Sequence, residues 1–308
     1  MTPFDPLSVS PPSDRPWGVN FGGGTNSVAL VVELLNRGHR PHWVLFSDTG
    51  SERPETYEAT RRTARWLAER GVTLSVTCWR RQRAVEGLVG EPPPLAELET
   101  WSPGGAFESL ENLCLRTGYM PSAAYGYGGC SSKAKRQPAE RWRVAHGFSD
   151  TVYALGFDAG EKRRVEKRKC ERAAEGEALG EEPWYPLYAW GLTRTDCVRI
   201  VEAAGLGPVP KSACFFCPYT KAHEWESLRV SHPGLFARAL AIEANAVARG
   251  NAKSGLRRSQ GFLRELPTVT PDVVERDPTC DCFEASTDGG VGPEKSGGTP
   301  LTPDGNNP

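Results

Sequence analysis

The sequence lacks a large net charge of either sign, a long apolar run and a signal segment. Its formal charge is −1, from 37 basic and 38 acidic residues, so no overall positive field favours nucleic acid, although local basic patches are still compatible with it. No apolar run approaches the roughly 20 residues of a membrane-spanning helix. The N-terminus has neither the basic nor the apolar stretch of a secretion signal. We therefore expect a cytoplasmic protein with no membrane association.

Nine cysteines are present, and an export signal is missing. Because disulfides are rare in reducing compartments, we expect these thiols to be free, catalytic or bound to metal. An odd number also argues against a fully paired disulfide framework. Cysteine chemistry is therefore a candidate function rather than a structural staple.

Composition divides the chain of 308 residues into four parts. Residues 1–15 are rich in Pro and Ser and are predicted to be a lead-in without fixed structure, and residues 284–308 are a polar tail that cannot bury enough surface to order. Residues 16–205 carry the alternating apolar segments of one large domain. Residues 206–283 are predicted to form a small, mainly helical subdomain that contains a Cys-x-x-Cys.

Apolar segments alternate between the patterns of strands and helices. Such alternation predicts parallel βαβ units, so the expected fold class is α/β with a doubly wound, Rossmann-type parallel sheet. Ligands of such sheets bind beyond the carboxyl ends of the strands. The predicted strands are 17–21, 42–46, 72–76 and 151–155, and the predicted helices cover 28–35, 54–71, 107–117, 133–146, 195–205 and 219–250.

A glycine-rich segment, Gly22–Ser27, lies between the first strand and the first helix. Three glycines, Gly22, Gly23 and Gly24, let the main chain turn sharply and approach a ligand. Thr25, Asn26 and Ser27 add polar side chains at the positive end of the helix. The segment thus predicts an anion site. The alternative is a turn that only connects strand and helix.

A second motif follows the next strand, with Asp48-Thr49-Gly50 and then Pro54-Glu55-Thr56-Tyr57. Together with Gly22–Ser27 it resembles the PP-loop, or adenine nucleotide alpha-hydrolase, superfamily, and within it the phosphoadenosine phosphosulfate (PAPS) reductase-like branch. The resemblance implies a PP-loop ATPase-like fold whose loop holds the phosphates of ATP or of a sulfonucleotide. Asp48 would contact ribose or Mg²⁺; from the residues alone it is equally a turn cap. Asn26 stands where the family usually has Asp.

The same resemblance implies further residues near the phosphates. Lys133 would face the nucleotide or the transferred oxyanion, although an exposed basic start of a helix is the alternative. Gly156 would belong to a second glycine-bearing loop, with Glu161 and Arg164 near the phosphates. Asp48, Lys133 and Arg164 are therefore the predicted catalytic residues.

Cys214 and Cys217 form the Cys-x-x-Cys, a spacing that suits one metal ion or one edge of a cluster. Cys130 lies upstream, and the resemblance implies that it joins this pair in a 4Fe–4S cluster. Cys114 is the preferred fourth ligand, ahead of Cys197, Cys280 and Cys282. The alternatives are a cluster held by three thiolates with one open iron, a structural Zn²⁺ site and free buried thiols.

These expectations support one leading function and two alternatives. The leading function is ATP-dependent adenylation with release of pyrophosphate, assisted by Mg²⁺ and coupled to sulfur transfer from a donor protein to a nucleic-acid base or a small metabolite. The second is a sulfonucleotide reductase served by thioredoxin, which needs a mobile nucleophile such as Cys280 or Cys282. The third is a nucleotide-binding protein without catalysis. The sequence does not indicate an oligomeric state.

Overall fold

The computed structural model describes residues 3–79, 109–122, 129–175, 181–257 and 261–266. Its core is a five-stranded sheet in the order β3-β2-β1-β4-β5, in which every pairing is parallel. This confirms the predicted α/β class. The strands are β1 (Trp17–Phe21), β2 (Trp43–Asp48), β3 (Leu74–Cys78), β4 (Thr151–Ala154) and β5 (Glu181–Trp184).

Helices connect the strands and extend beyond the sheet. The helices are α1 (Thr25–Asn36), α2 (Pro54–Ala68), α3 (Leu110–Thr117), α4 (Gly129–Ser131), α5 (Gln137–Ala145), α6 (Lys162–Glu175), α7 (Pro186–Ala189), α8 (Arg194–Ala203), α9 (Ala222–Ser231) and α10 (Pro233–Ala248). A π-helical turn, Ser132–Arg136, joins α4 to α5, and a 3-10 turn covers Leu263–Glu265. Within the described part of the chain, no helix is long and apolar enough to cross a membrane.

The sheet buries both faces, as its near-continuous apolar strands require. Val19, Val44 and Val152 belong to the main core, to which α1 and α8 contribute their apolar sides. On the opposite face, Trp43 and Leu45 pack against α5. Helices on both faces make the sheet doubly wound.

Strand β1 is the point at which the strand order reverses. It pairs with β2 on one side and with β4 on the other. Crevices form outside the carboxyl ends of strands at such a reversal, and ligands of open α/β sheets bind there. The segments that follow β1 and β4, beginning at Gly22 and Leu155, therefore flank the expected ligand position.

Residues 3–15 differ from the predicted unstructured lead-in. The indole of Trp184 donates to the carbonyl of Ser8 at 2.7 Å, and the main-chain N–H of Tyr185 donates to Pro6 at 2.9 Å. Phe4 packs edge-on against Trp184. The segment covers β5, and composition alone missed this because Pro and Ser do not rule out an extended segment held by neighbours.

Two other elements also differ from the sequence patterns. Strand β5 has two glutamates and Pro183 in four residues, a composition that is tolerated at a sheet edge. Because it lacks an apolar pattern, the sequence did not predict it as a strand. The predicted helix over 219–250 is two helices, because Pro233 begins α10 directly after the break at His232.

A second core lies outside the sheet. It joins α3 to α9 and α10, so the helical region includes a segment from well before residue 206. Arg238 of α10 forms a two-bond ion pair with Glu111 of α3, and buried Glu243 accepts the main-chain N–H groups of Leu256 and Leu263. The predicted tail 284–308, with Cys280 and Cys282 before it, lies outside the described residues.

Candidate functional site

The segment Gly22–Ser27 turns from β1 into α1 at the strand-order reversal. Gly23 has φ 76°, a left-handed conformation that favours glycine. A Cβ atom on Gly156, which follows β4, would lie 3.0 Å from the main chain of Asn26 and Ser27. The close approach of the two loops therefore depends on Gly156. Together they form a small concave site, here called the cradle, whose boundaries are Gly22–Ser27 and residues 155–158.

The cradle is a cavity of about 180 Å³ with several cationic side chains in its wall. Lys211 and Ser212 reach it from the segment before α9, and Arg194 reaches it from the start of α8. The ammonium of Lys211 also pairs with Glu224 at 3.0 Å. Main-chain amides, the positive end of α1 and these cations are the groups that bind phosphate in proteins.

Asn26 is the centre of a polar network in the cradle. Its amide nitrogen donates to Asp158 at 2.9 Å and to Glu161 at 3.2 Å, and its amide oxygen accepts from Arg194 at 2.8 Å. A second nitrogen of Arg194 donates to Thr25 Oγ1 at 2.9 Å. An amide can serve as donor and acceptor at once, whereas a carboxylate at this position would face two other carboxylates.

Arg164 and Glu161, both predicted near the phosphates, form an ion pair at the beginning of α6. The guanidinium of Arg164 lies 4.1 Å from the ring centre of Phe157. Stacking on the ring and pairing with the carboxylate hold this cation in place. Arg164 contributes to the wall of the cradle and of its larger neighbour.

The larger neighbour, here called the sheet cavity, has a volume of about 560 Å³. It extends from the cradle over the α5 side of the sheet. Asn20, Gly22, Leu155, Phe157 and Arg164 are common to both cavities. A ligand with its phosphates in the cradle can therefore extend into the sheet cavity while it stays in contact with the protein.

Asp48 lies at the end of β2, but it is not part of either cavity wall. Its Oδ1 accepts the hydroxyl of Tyr57 at 2.7 Å and the main-chain N–H of Gly50 at 2.8 Å. Burial raises the pKa of Asp48 to about 6, although both hydrogen bonds act in the opposite direction. These contacts are those of a turn cap, and the predicted role in ribose or Mg²⁺ binding stays a prediction.

Lys133 and Lys135 occupy different sides of the π-helical turn. Lys133 is exposed and absent from both cavity walls, whereas Lys135 contributes to the sheet cavity. Lys135 pairs at 2.9 Å with Glu52, whose side chain is 0% exposed. The turn therefore presents Lys135 to the site, and a catalytic role for Lys133 stays a prediction.

Three of the four predicted metal ligands lie in the second core. Cys114 is buried there, and Cys130 and Cys214 pack against the same apolar residues. Burial raises the pKa of Cys114 to about 12 and that of Cys214 well above its usual value, and the neighbouring Cys130 contributes in the same direction to both. Thr49 Oγ1 lies 3.2 Å from the sulfur of Cys214.

Cys214 and Cys217 lie in one turn, in which the main-chain N–H of Cys217 donates to the carbonyl oxygen of Cys214 at 3.1 Å. In the described segments, no group of three or more His, Cys, Asp or Glu side chains has the arrangement of a metal site. The donor type and the neighbourhood of Cys114, Cys130 and Cys214 suit a thiolate-bound metal, since soft ligands in apolar surroundings favour zinc and iron–sulfur clusters. The ligand set stays a prediction.

Sequence reasoning missed several cradle residues. Arg194, Lys211, Ser212 and Asp158 were not predicted as nucleotide contacts, although each lies beside the predicted loop. They come from chain segments far apart, and no spacing joins them to Gly22–Ser27. The available signal was position, because Arg194 begins a helix capped by Thr193 and Asp158 follows a strand.

Comparison with known proteins is sparse. No family model matches the chain, and no curated protein matches it. Among solved structures, the U34-tRNA thiolase NcsA from Methanococcus maripaludis, with its 4Fe–4S cluster, matches at 12% identity and a TM-score of 0.36. The match covers 78% of this chain and 74% of the thiolase. This likeness is too low to carry an argument about the site or the family.

Proposed function

We propose that the protein is an adenine-nucleotide enzyme of the PP-loop type, which binds ATP with its phosphates in the cradle. The observation that carries the proposal is the convergence of the open Gly22–Ser27 main chain, Arg194 and Lys211 at the strand-order reversal. Three cationic or amide sources around one small cavity suit a polyphosphate better than a single carboxylate. The adenosine moiety would occupy the adjoining end of the sheet cavity, beside Leu155 and Phe157.

The proposed reaction is adenylation. An oxygen of the acceptor forms a bond to the α-phosphorus, the bond from that phosphorus to the bridging oxygen breaks, and pyrophosphate leaves with the electron pair. Arg164, Arg194 and Lys211 would stabilise the charge on the departing pyrophosphate, together with the main-chain amides. The carboxylates of Asp158 and Glu161 offer the oxygen ligands that Mg²⁺ prefers.

We further propose a metal centre at the thiols of the second core. Cys114, Cys130, Cys214 and Cys217 would hold a 4Fe–4S cluster, with Zn²⁺ as the alternative. A cluster bound there would supply redox or sulfur-binding chemistry for substitution of the adenylated acceptor. Lys135, which pairs with Glu52 next to Cys214, connects this region to the sheet cavity.

The remaining hypotheses differ in the reaction partners that they require. Sulfur transfer would need a sulfur-donor protein and a nucleic-acid base or small metabolite as acceptor. A thioredoxin-linked reductase acting on a sulfonucleotide would need a nucleophile such as Cys280 or Cys282, both outside the described residues. The geometry of the cradle supports the nucleotide-binding step that all these hypotheses share.

Substitution of Gly22 by Ala tests the cradle. The new methyl group would have only the hydroxyls of Ser27 and Ser212 near it, at 3.9 and 4.0 Å, so it fits the fold but fills space where a phosphate would bind. We expect Gly22→Ala to weaken ATP binding at least about 30-fold, or about 2 kcal/mol, in isothermal titration calorimetry, and to slow ATP–pyrophosphate exchange.

Gly234→Ala is the matched control, because a Cβ atom there has no neighbour within 4 Å and the residue lies at the start of α10. It should bind ATP as the unaltered protein does. Equal ATP affinity in the Gly22→Ala variant, or no ATP binding by the unaltered chain, would refute the proposal.

A further inference from the structure

The side of the sheet cavity away from the cradle contains a buried cation. Arg143 is 2% exposed, yet its side chain is part of the cavity wall. It donates to Asn20 Oδ1 at 3.2 Å, and its guanidinium carbon lies 5.5 Å from the ring centre of Trp43 and 5.3 Å from that of Tyr153. The sheet and α5 therefore fix the direction of this guanidinium.

Helix α5 places Arg143 there by its periodicity. Ala139 and Arg143 are four residues apart, and both are buried against the sheet. Arg141, on the same helix, is exposed and donates to the Gln137 carbonyl of its own helix. A guanidinium is costly to bury unless hydrogen bonds, aromatic faces or an anion compensate for its lost hydration. Asn20 and the two aromatic faces supply such compensation, and the place of Arg143 in the cavity wall also brings its guanidinium within reach of an anion that enters the cavity.

The described residues that line the sheet cavity are mostly basic where they are charged. The whole chain has a formal charge of −1, but among these described lining residues five side chains are basic and one is a carboxylate. Arg136 is exposed and Arg168 half-buried, so cations lie both at the solvent side and deep in the wall. The basic residues are Lys135, Arg136, Arg143, Arg164 and Arg168, and the carboxylate is Glu140.

We propose that the sheet cavity binds the acceptor as a small organic anion, with its carboxylate or phosphate group on Arg143 and with Arg136 and Arg168 nearer the entrance. The guanidinium fork matches either oxyanion in two parallel hydrogen bonds. Tyr153 and Tyr185 supply apolar wall for the rest of the molecule. This inference rests on the proposed function, because it assigns the cradle to the nucleotide and the α5 side to the second substrate.

A small molecule fits these observations better than a nucleic-acid strand does. Backbone phosphates of a strand would meet exposed cations on the surface. A cation that is 2% exposed can be reached only by a group that enters the cavity. The volume of about 560 Å³ is that of a small-molecule site and holds more than a nucleoside alone.

Titration calorimetry on the full chain, saturated with a nonhydrolysable ATP analogue, tests the inference. The probes are inorganic phosphate and malonate, titrated separately so that a phosphate group and a carboxylate group are distinguished. We expect at least one probe to bind, and Arg143→Met to weaken it at least about tenfold. Arg168→Met, at a half-buried position, should weaken binding of the same probe several-fold. This second variant keeps the inference testable if Arg143→Met does not fold. Arg141→Met is the matched control on the exposed side of α5 and should have no effect.

Each other outcome counts against the inference. If neither probe binds the analogue-loaded protein, or if binding persists unchanged in both Arg143→Met and Arg168→Met, the anion site is refuted. If a single-stranded oligonucleotide binds and neither small anion does, the acceptor is a nucleic acid instead. Binding of the ATP analogue is measured first, before either probe is added, and its failure to bind counts against the proposed function.

Discussion

The cradle and the thiol region, which comprises Cys114, Cys130, Cys214 and Cys217, differ in how they are suited to a ligand. In the cradle, Asn26 is held by hydrogen bonds to three charged side chains. In the thiol region, Cys114 and Cys214 are buried, and burial raises the pKa of both thiols and so favours the protonated form. The cradle is preorganised for an anion, whereas the thiols become favourable ligands only when a metal takes the place of their protons.

The two regions also differ in how the chain builds them. The cradle lies at the carboxyl ends of β1 and β4 in the middle of the sheet, where one glycine loop packs on another. The thiol region joins α3, the start of α4 and the Cys214–Cys217 turn, all outside the sheet. We therefore expect substitutions in one region to leave the other intact, and the predictions test that independence.

The largest expected effect is loss of the metal centre in Cys130→Ser. Cys130 and Cys214 pack against the core that contains Cys114, so the substitution would remove one of the four proposed cluster ligands. Anaerobically purified protein should absorb near about 400 nm and contain about four irons per chain, as a 4Fe–4S centre does. The variant should lose both signals while ATP affinity changes less than about threefold.

Cys78→Ser, at the end of β3, is the control for this prediction and should keep its iron and colour. One zinc per chain without colour would support the zinc alternative. Protein without bound metal would support the alternative of free thiols. A parallel loss of ATP binding in Cys130→Ser would break the proposed independence of the two regions.

A smaller but still large effect is expected for Asn26→Asp, which introduces the residue usual in the PP-loop family that the sequence resembles. The change removes the donor that Asp158 and Glu161 share, and it puts a third carboxylate beside them. Loss of hydrogen bonds to charged groups and the added repulsion should weaken ATP binding roughly 100-fold, about 3 kcal/mol. Titration calorimetry measures the change directly.

Asn36→Asp is the same substitution in the same helix, at its exposed carboxyl end, and should leave ATP affinity unchanged. If Asn26→Asp instead bound ATP as tightly or better, the network around Asn26 would not be what organises the cradle. The metal signal of Asn26→Asp should equal that of the unaltered protein, which tests the independence from the other side.

Sequence reasoning reached the architecture because the signals for it are local. Gly22–Ser27 between a strand and a helix, and Pro54 at the start of α2, follow from the properties of single residues and their neighbours. The structure confirms the predicted parallel sheet. Strand β5 was missed because Pro183 and its glutamates carry no apolar pattern.

The composition of the site was harder to predict because it depends on tertiary contacts. Lys133 and Lys135 are two residues apart, and only the π-helical turn decides that Lys135 contributes to the sheet cavity. Arg194 reaches Asn26 across 168 positions of sequence. Such pairs have no signature in a single sequence, so side-chain direction and long-range partners require the folded chain.

The smallest expected effect concerns Asp48, which ends β2 and contributes to neither cavity. Because burial raises its pKa from 3.8 to about 6, the fold favours the protonated carboxyl. The stability contributed by Asp48 is therefore complete below about pH 4 and is lost as the pH rises through about 6. A difference of this size corresponds to about 3 kcal/mol at most.

Asp48→Asn keeps an acceptor for the Tyr57 hydroxyl and the Gly50 N–H but cannot become charged. We expect the variant to be about 1–2 kcal/mol more stable than the unaltered protein at pH 8, and equally stable at pH 4, in urea denaturation at both values. Asp150→Asn, at an exposed carboxylate, should show no such gain with pH. If Asp48→Asn instead loses stability at pH 8, a partner that favours the charged carboxylate outweighs the effect of burial.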